Sequence, residues 1–266
     1  MTDWDDLKEE LDIWQADRRV TTFWWRDDDL IAPTPALERL LHLRDHFEIP
    51  LSLAVIPDTV DPALADQRLD GCIILQHGAE HRNVAPAPQK KSEFPEGRPM
   101  AESTAVLAAG KERLGKLFED RFLPALVPPW NRIAAHILPQ LPALGYIGLS
   151  RFSARPAAVP VPGLVEVNTH IDPVNWRGDR KLLPLPVMLE MVCGHLRARR
   201  QKTVDTEEPT GLLTHHLVHD EFAWAELYKL ISFLDGHPAV RWISLPTAIS
   251  LADEIPEEAF LFGSED

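Results

Sequence analysis

Short runs of β-branched, aromatic and aliphatic residues recur along this chain, separated by stretches of helical periodicity. The runs are Val20–Trp25, Leu51–Ile56, Cys72–Leu75, Leu126–Val127, Tyr146–Leu149, Leu164–Val167, Gly211–Thr214 and Val240–Leu245. Each is too short and too rich in strand formers to be a helix. Between them, helices are expected over 102–122, 133–144, 184–200 and 220–235. Another begins where Thr34 can cap, Pro35 takes the first helical position, and Leu37, Leu40, Leu41 and Leu43 form a stripe up to Phe47. Strands that alternate with helices are joined by crossovers, so they lie parallel in one sheet with helices packed outside. The 266 residues suit closure into a (β/α)7-8 barrel better than an open sheet, although periodicity alone fits both. The expectation is one domain over 1–266, with an acidic, amphipathic helical segment at 1–19 and a proline-rich loop inserted at 83–101 near the strand ends that carry the polar motifs.

Composition narrows the partners. The chain carries 27 Lys and Arg against 41 Asp and Glu, a formal charge of −14. That balance argues against nucleic acid or an anionic membrane as main partner. Cys72 and Cys193 are the only cysteines, too few for a disulfide framework or a cysteine zinc site. The N-terminal segment has neither a basic start nor an apolar stretch, and no window approaches 18 consecutive apolar residues, so a cytoplasmic location is expected. A homo-oligomer is compatible with the sequence.

Polar residues concentrate where the strands end. The first run is followed by Arg26-Asp27-Asp28-Asp29 and the third by Gln76-His77-Gly78-Ala79-Glu80-His81. The fourth is followed by Pro128-Pro129-Trp130-Asn131-Arg132, the sixth by His170, Asp172 and Trp176, and the seventh by His215-His216. In a parallel barrel these ends meet on one face, where catalytic groups sit. His77 and His81, four apart, would share one side of a helix and could give two nitrogens to one divalent metal. HxxxH also describes two surface histidines, and an aspartate run also describes a capped loop. A carboxylate beside the histidines would complete a ligand set that leaves positions open for water. Alternation along the seventh strand does not choose between His215 and His216. His170, His195 and His219 lack such context and read as structural.

Taken in order, these motifs resemble the polysaccharide deacetylases (NodB-homology, carbohydrate esterase family four). The resemblance spans Thr21 to Asp220. It rests on Asp27-Asp28 after the first strand, HxxxH at 77–81, Pro-Pro-aromatic at 128–130, the Asp172…Trp176 segment and Leu-Thr-His at 213–215. It implies a distorted barrel and a divalent metal, zinc above all. The implied activity is removal of acetyl or similar groups from a saccharide or other small acylated substrate, as a hydrolase of carbon–nitrogen bonds other than peptide bonds. By position, Asp27 resembles the catalytic base, Asp28, His77 and His81 the metal ligands, and His215 the general acid. Trp130, Arg132, Asp172 and Trp176 resemble the substrate-binding wall.

The chain departs from the family pattern. Trp25-Arg26-Asp27-Asp28-Asp29-Leu30 stands for the usual Thr-Phe-Asp-Asp-Gly-Pro, so Asp28 and Asp29 could be the base–ligand pair instead. Val127 stands where an arginine usually precedes Pro-Pro, and Gly78 where a serine usually follows the first histidine. The missing arginine favours one rival reading, a non-catalytic carbohydrate-binding barrel. A metal-dependent phosphoesterase is the other, disfavoured by the acidic balance and the lack of a glycine-rich phosphate cradle.

Overall fold

The structure, a computed structural model, describes residues 1–253. In chain order the elements are α1 (Trp4–Ala16), β1 (Thr21–Leu30), α2 (Pro35–Phe47), β2 (Leu51–Val55), β3 (Cys72–His77), α3 (Met100–Phe118) and β4 (Phe122–Val127). There follow β5 (Gly148–Leu149), β6 (Val165–Glu166), α4 (Leu185–Arg200), β7 (Thr210–Thr214), α5 (Glu221–Asp235), β8 (Val240–Trp242) and α6 (Leu245–Asp253). Thr34 caps α2 through its side chain ahead of Pro35, and Asp3 and Asp6 form a reciprocal capping box on α1.

The strands form one parallel sheet in the order β6-β5-β4-β3-β2-β1-β7, with β8 also on β1. The sheet curls. The segment after β6 carries hydrogen bonds to both ends: Val167 N to Leu149 O on β5, and Leu213 N of β7 to Ile171 O. The architecture is thus the distorted α/β barrel that the strand–helix alternation predicts. Gly211, on β7, lies where the chain after β6 crosses. An added Cβ there would stand 2.5 Å from Asn168 O and 2.6 Å from Thr169 Cα, so only glycine fits.

Three apolar clusters hold the sheet, one of which joins Leu126 of β4 and Leu149 of β5 to Leu107 of α3. On the outer face, Phe23, Trp25, Leu51, Leu53, Ile74 and Leu212 pack against α1, α2, α4 and α5. On the inner face, Trp24, Ala54, Leu75, Ala125 and Val127 pack against Leu245, Ala248 and Ile249 of α6. The small inward residues leave room for that helix inside the curl.

Two expectations change. The stretch at 133–144 forms a 3-10 helix over Ala135–Gln140; Pro139 and Pro142 each lack the amide an α-helix needs there. Strand β1 also runs past Trp25 through all three aspartates to Leu30. Among the described residues, no helix is long and apolar enough to cross a membrane.

Candidate active site

Alternation along β1 sorts the aspartate run. Side chains of a strand point to opposite faces in turn. Phe23 and Trp25 go outward and Trp24 inward, so Asp27 belongs outside and Arg26 and Asp28 inside. The alternation then breaks. Asp29 is left-handed at φ 69°, and the register with β2 shifts between Asp27 and Leu30, as at a bulge. Consecutive residues Asp28 and Asp29 therefore both line one cavity of about 570 Å³.

Asp27 does not line it. The fully buried carboxylate accepts from Thr214 Oγ1 at 2.6 Å and from the His216 amide at 3.0 Å, and it pairs with His216 Nδ1. Burial opposes its charge, but the His216 imidazole outweighs burial and holds it below the usual carboxylate range. The same pairing raises His216 against its own burial. The catalytic position given to Asp27 by motif order is corrected: alternation turns it to the outer face, where it is locked.

Motif order gives Asp28 to the metal, but the carboxylate grouped with His77 and His81 is Asp29, which is the register of the alternative Asp28–Asp29 pair. The Asp28 carboxylate is gripped by Arg26 in a fork, Nε to Oδ1 at 2.9 Å and Nη2 to Oδ2 at 3.0 Å. The guanidinium gives its remaining N–H groups to Asn131 Oδ1 at 2.8 Å, Ser150 Oγ at 2.7 Å and Arg151 O at 3.4 Å. All five donors are used. Asn131 reaches Arg26 because Trp130 and Asn131 are both left-handed after Pro128-Pro129. A guanidinium thus reaches Asp28 from β1, two residues before it, and neither Arg26 nor Asn131 stood out in sequence.

Asp29 is the carboxylate beside the histidines. Its Oδ1 lies 3.1 Å from His77 Nε2 and 3.3 Å from His81 Nε2, and the three donor atoms lie within 4.8 Å of one another. His77 donates Nδ1–H to Val127 O at 2.9 Å, which leaves the Nε2 lone pair aimed at the Asp29 oxygen. Two lone pairs at that distance need a cation between them, a proton or a metal ion. The donor set therefore fits a divalent metal, with the His77 tautomer fixed from behind. Burial opposes the Asp29 charge, but the His77 hydrogen bond and the nearby imidazoles win and hold it low. Burial and His77 together lower His81.

The expected helix after β3 is absent. The chain turns at Gly78 (φ 60°), and His81 itself is left-handed at φ 53°. Two amides of the turn, Ala79 and Glu80, donate to the Glu93 carboxylate at 3.1 and 2.8 Å. Glu93 belongs to the 83–101 loop, which thereby braces the site. The His77 and His81 rings end 4.9 Å apart, and Trp130 covers His81 at 4.7 Å.

Across the cavity stands His215. Pairing of Asp27 with Thr214 in the β1–β7 register puts Thr214 and His216 outward and His215 inward, so alternation does choose once the outer face is known. His215 Nδ1 has no partner among the described residues. The Trp176 ring meets His215 edge-on at 4.6 Å and donates Nε1–H to Asp172 at 2.7 Å. Burial raises the Asp172 carboxyl, opposed chiefly by His215. Trp130, Arg132, Asp172 and Trp176 all line the cavity.

A second group, His170, His195 and Glu208, brings three potential ligands equally close. Here the hydrogen bonds run the other way. His170 Nδ1 accepts from the Gly211 amide at 3.0 Å, so its proton sits on Nε2, facing Glu208 Oε2 at 3.4 Å. A protonated nitrogen cannot ligate a metal.

No family model matches the sequence, and no curated protein matches it. Solved structures do. A Mycobacterium smegmatis protein classed as a polysaccharide deacetylase superposes with a TM-score of 0.62 at 17% identity, over 93% of both chains. A Streptococcus mutans CE4 esterase gives 0.56 at 10% identity over 91% of each. A family 4 acetyl xylan esterase from Clostridium thermocellum, in complex with a cobalt ion, gives 0.52 at 14% identity over 87% of this chain and 91% of that one.

Proposed function

We propose, for a chain with the polysaccharide deacetylase fold, that it is a metal-dependent hydrolase removing an acyl group, acetyl in the simplest case, from a saccharide or another small acylated substrate. One observation carries the reading. Two adjacent carboxylates face the same cavity with different tethers, Asp28 on an arginine and Asp29 on two histidines. Their environments divide the labour. Asp29, His77 and His81 would hold a divalent ion, for which zinc suits the donors, and when bound it supplies a lowered water pKa and a polarised carbonyl.

Asp28 takes the proton of the attacking water. A carboxylate has about four lone-pair sites; Arg26 uses two and fixes the group's orientation. His215, which lines the cavity with Asp28, gives a proton to the departing nitrogen or oxygen. Trp130 and Trp176 wall the cavity and limit water around the acyl group. Val127 in place of an arginine speaks for a non-catalytic barrel; the Arg26 guanidinium, which grips Asp28 from β1, speaks against it.

The test is acetate release. Protein stripped with chelator and reloaded with zinc, cobalt or manganese is offered N-acetylated amino sugars and O-acetylated saccharides. Metal-dependent release from at least one is expected. No release with any of these metals overturns the reading.

A further inference from the structure

The rim of the cavity is cationic on an acidic chain. Lys91, Arg132 and Arg180 line it together with the catalytic groups, although the chain carries a net −14. Several arginines elsewhere are matched to carboxylates, among them Arg39 to Glu221, Arg151 to Glu166, Arg155 to Asp205 and Arg200 to Glu10. The three rim cations have no carboxylate within salt-bridge distance among the described residues. The acids of the floor are already engaged, Asp28 by Arg26, Asp29 by the two histidines and Asp172 by the Trp176 N–H.

Two of these cations are held in place. Arg132 donates Nη1–H to Lys91 O at 2.9 Å, and its own carbonyl accepts from Ser92. This ties the 83–101 loop to the segment after β4. Arg180 lies over the Trp176 ring, 6.0 Å from its centroid, and that ring abuts His215. Positive charge therefore stands on both sides of the place where an acyl group would sit.

We infer that the substrate carries an anionic group, carboxylate or phosphate, bound by Arg132, Arg180 and Lys91 while its acyl group is at Asp28 and His215. The inference rests on the hydrolase reading for the location of the acyl group. A planar guanidinium fork matches both oxyanions, so the shared chemistry is an acidic, acylated sugar or similarly small acid.

The experiment compares N-acetylglucosamine with its 6-phosphate and with N-acetylglucosaminuronic acid on the metal-loaded enzyme. A charge-assisted, bidentate contact is worth about ten- to a hundred-fold, so kcat/KM is expected to favour an acidic member by that factor. Preference for the phosphate or for the uronate distinguishes the two anions. In R132Q and R180Q the acidic-to-neutral ratio should fall toward one, mainly through KM. Equal or lower rates on the acidic sugars overturn the inference while leaving the hydrolase reading intact. If nothing is hydrolysed, calorimetric titration with the same three sugars decides. Binding of an acidic sugar weakened at least tenfold in R132Q or R180Q supports the anion site; unchanged binding, or none, overturns it.

Discussion

Two histidine–carboxylate clusters stand in this molecule, with the same donor types at similar spacing. Asp29, His77 and His81 lie open to a cavity; His170, His195 and Glu208 are buried. What separates them is the atom behind each ring. A carbonyl, Val127 O, takes the proton of His77 Nδ1 and frees Nε2. An amide, Gly211 N–H, fills His170 Nδ1 and leaves the proton on Nε2. Charge agrees with this division. The open cluster has Asp28 nearby, whereas Arg199 and Arg155 act on His170 and would repel a cation. Ligand identity alone does not make a metal site; the hydrogen bonds behind the ligands choose.

The largest expected effect follows directly. Metal analysis of zinc-loaded protein should give one ion per chain. D29N and H77A should reduce that to background and abolish turnover, whereas H195F should keep the full equivalent. Two equivalents per chain in wild type, or metal loss in H195F, would break the comparison at its root.

A second test sharpens it inside the aspartate run. D28N should retain the metal and lose about 10²–10⁴-fold in kcat, because an amide cannot accept the proton. D27N should act on stability instead. It breaks a buried ion pair, worth about 3–5 kcal/mol, with kcat per folded molecule little changed. Paired urea melts and active-site titration separate the two, and a kcat collapse in D27N without loss of stability would restore the base to Asp27.

The strands, the thirteen-residue α2 and the rim position of every motif follow from periodicity and strand order. They are local properties, written in short windows. The register of the aspartates was not legible, because it depends on a left-handed residue at Asp29 that no local signal marks; non-glycine residues of this kind are uncommon. The His77–His81 pairing was legible as a pair but for the wrong reason, since a helix was expected and a braced turn brings the rings together. Arg26 hid in plain sight. It reads as strand polarity until its neighbours across 105 and 124 positions, Asn131 and Ser150, are in place. A signal did exist: a fully inward arginine on an aromatic strand needs carboxylate company, and Asp28 is its same-face neighbour.

The smallest effect concerns the buried cluster and acid. Burial, then Arg199 and Arg155, lowers His170 to about 3; burial, His170 and Arg199 lower His195 to about 2; and burial raises Glu208 to about 7. Both histidines are neutral in the folded protein but take up protons near pH ~6.5 when unfolded. Their depressed values thus cost stability as pH falls below that point. Glu208 has the opposite sign: it is protonated first in the folded state, so it favours folding as pH falls from about 7 toward ~4.5. Between those limits the unfolded chain gains two protons and the folded cluster one. The net is one proton, so acidification removes roughly 1 kcal/mol of stability per pH unit. H195F deletes one of the two histidine protons and keeps a ring stacked on His170, 3.5 Å away in wild type. The cluster's slope should then vanish between pH ~5 and ~6.5. Measured by urea unfolding, the stability of H195F relative to wild type should rise by roughly 1 kcal/mol for each unit of acidification, about 2–4 °C in Tm for a chain of this size. Parallel pH profiles would mean that His195 is already charged in the folded protein, and the closed cluster would then be a proton site rather than a neutral packing unit.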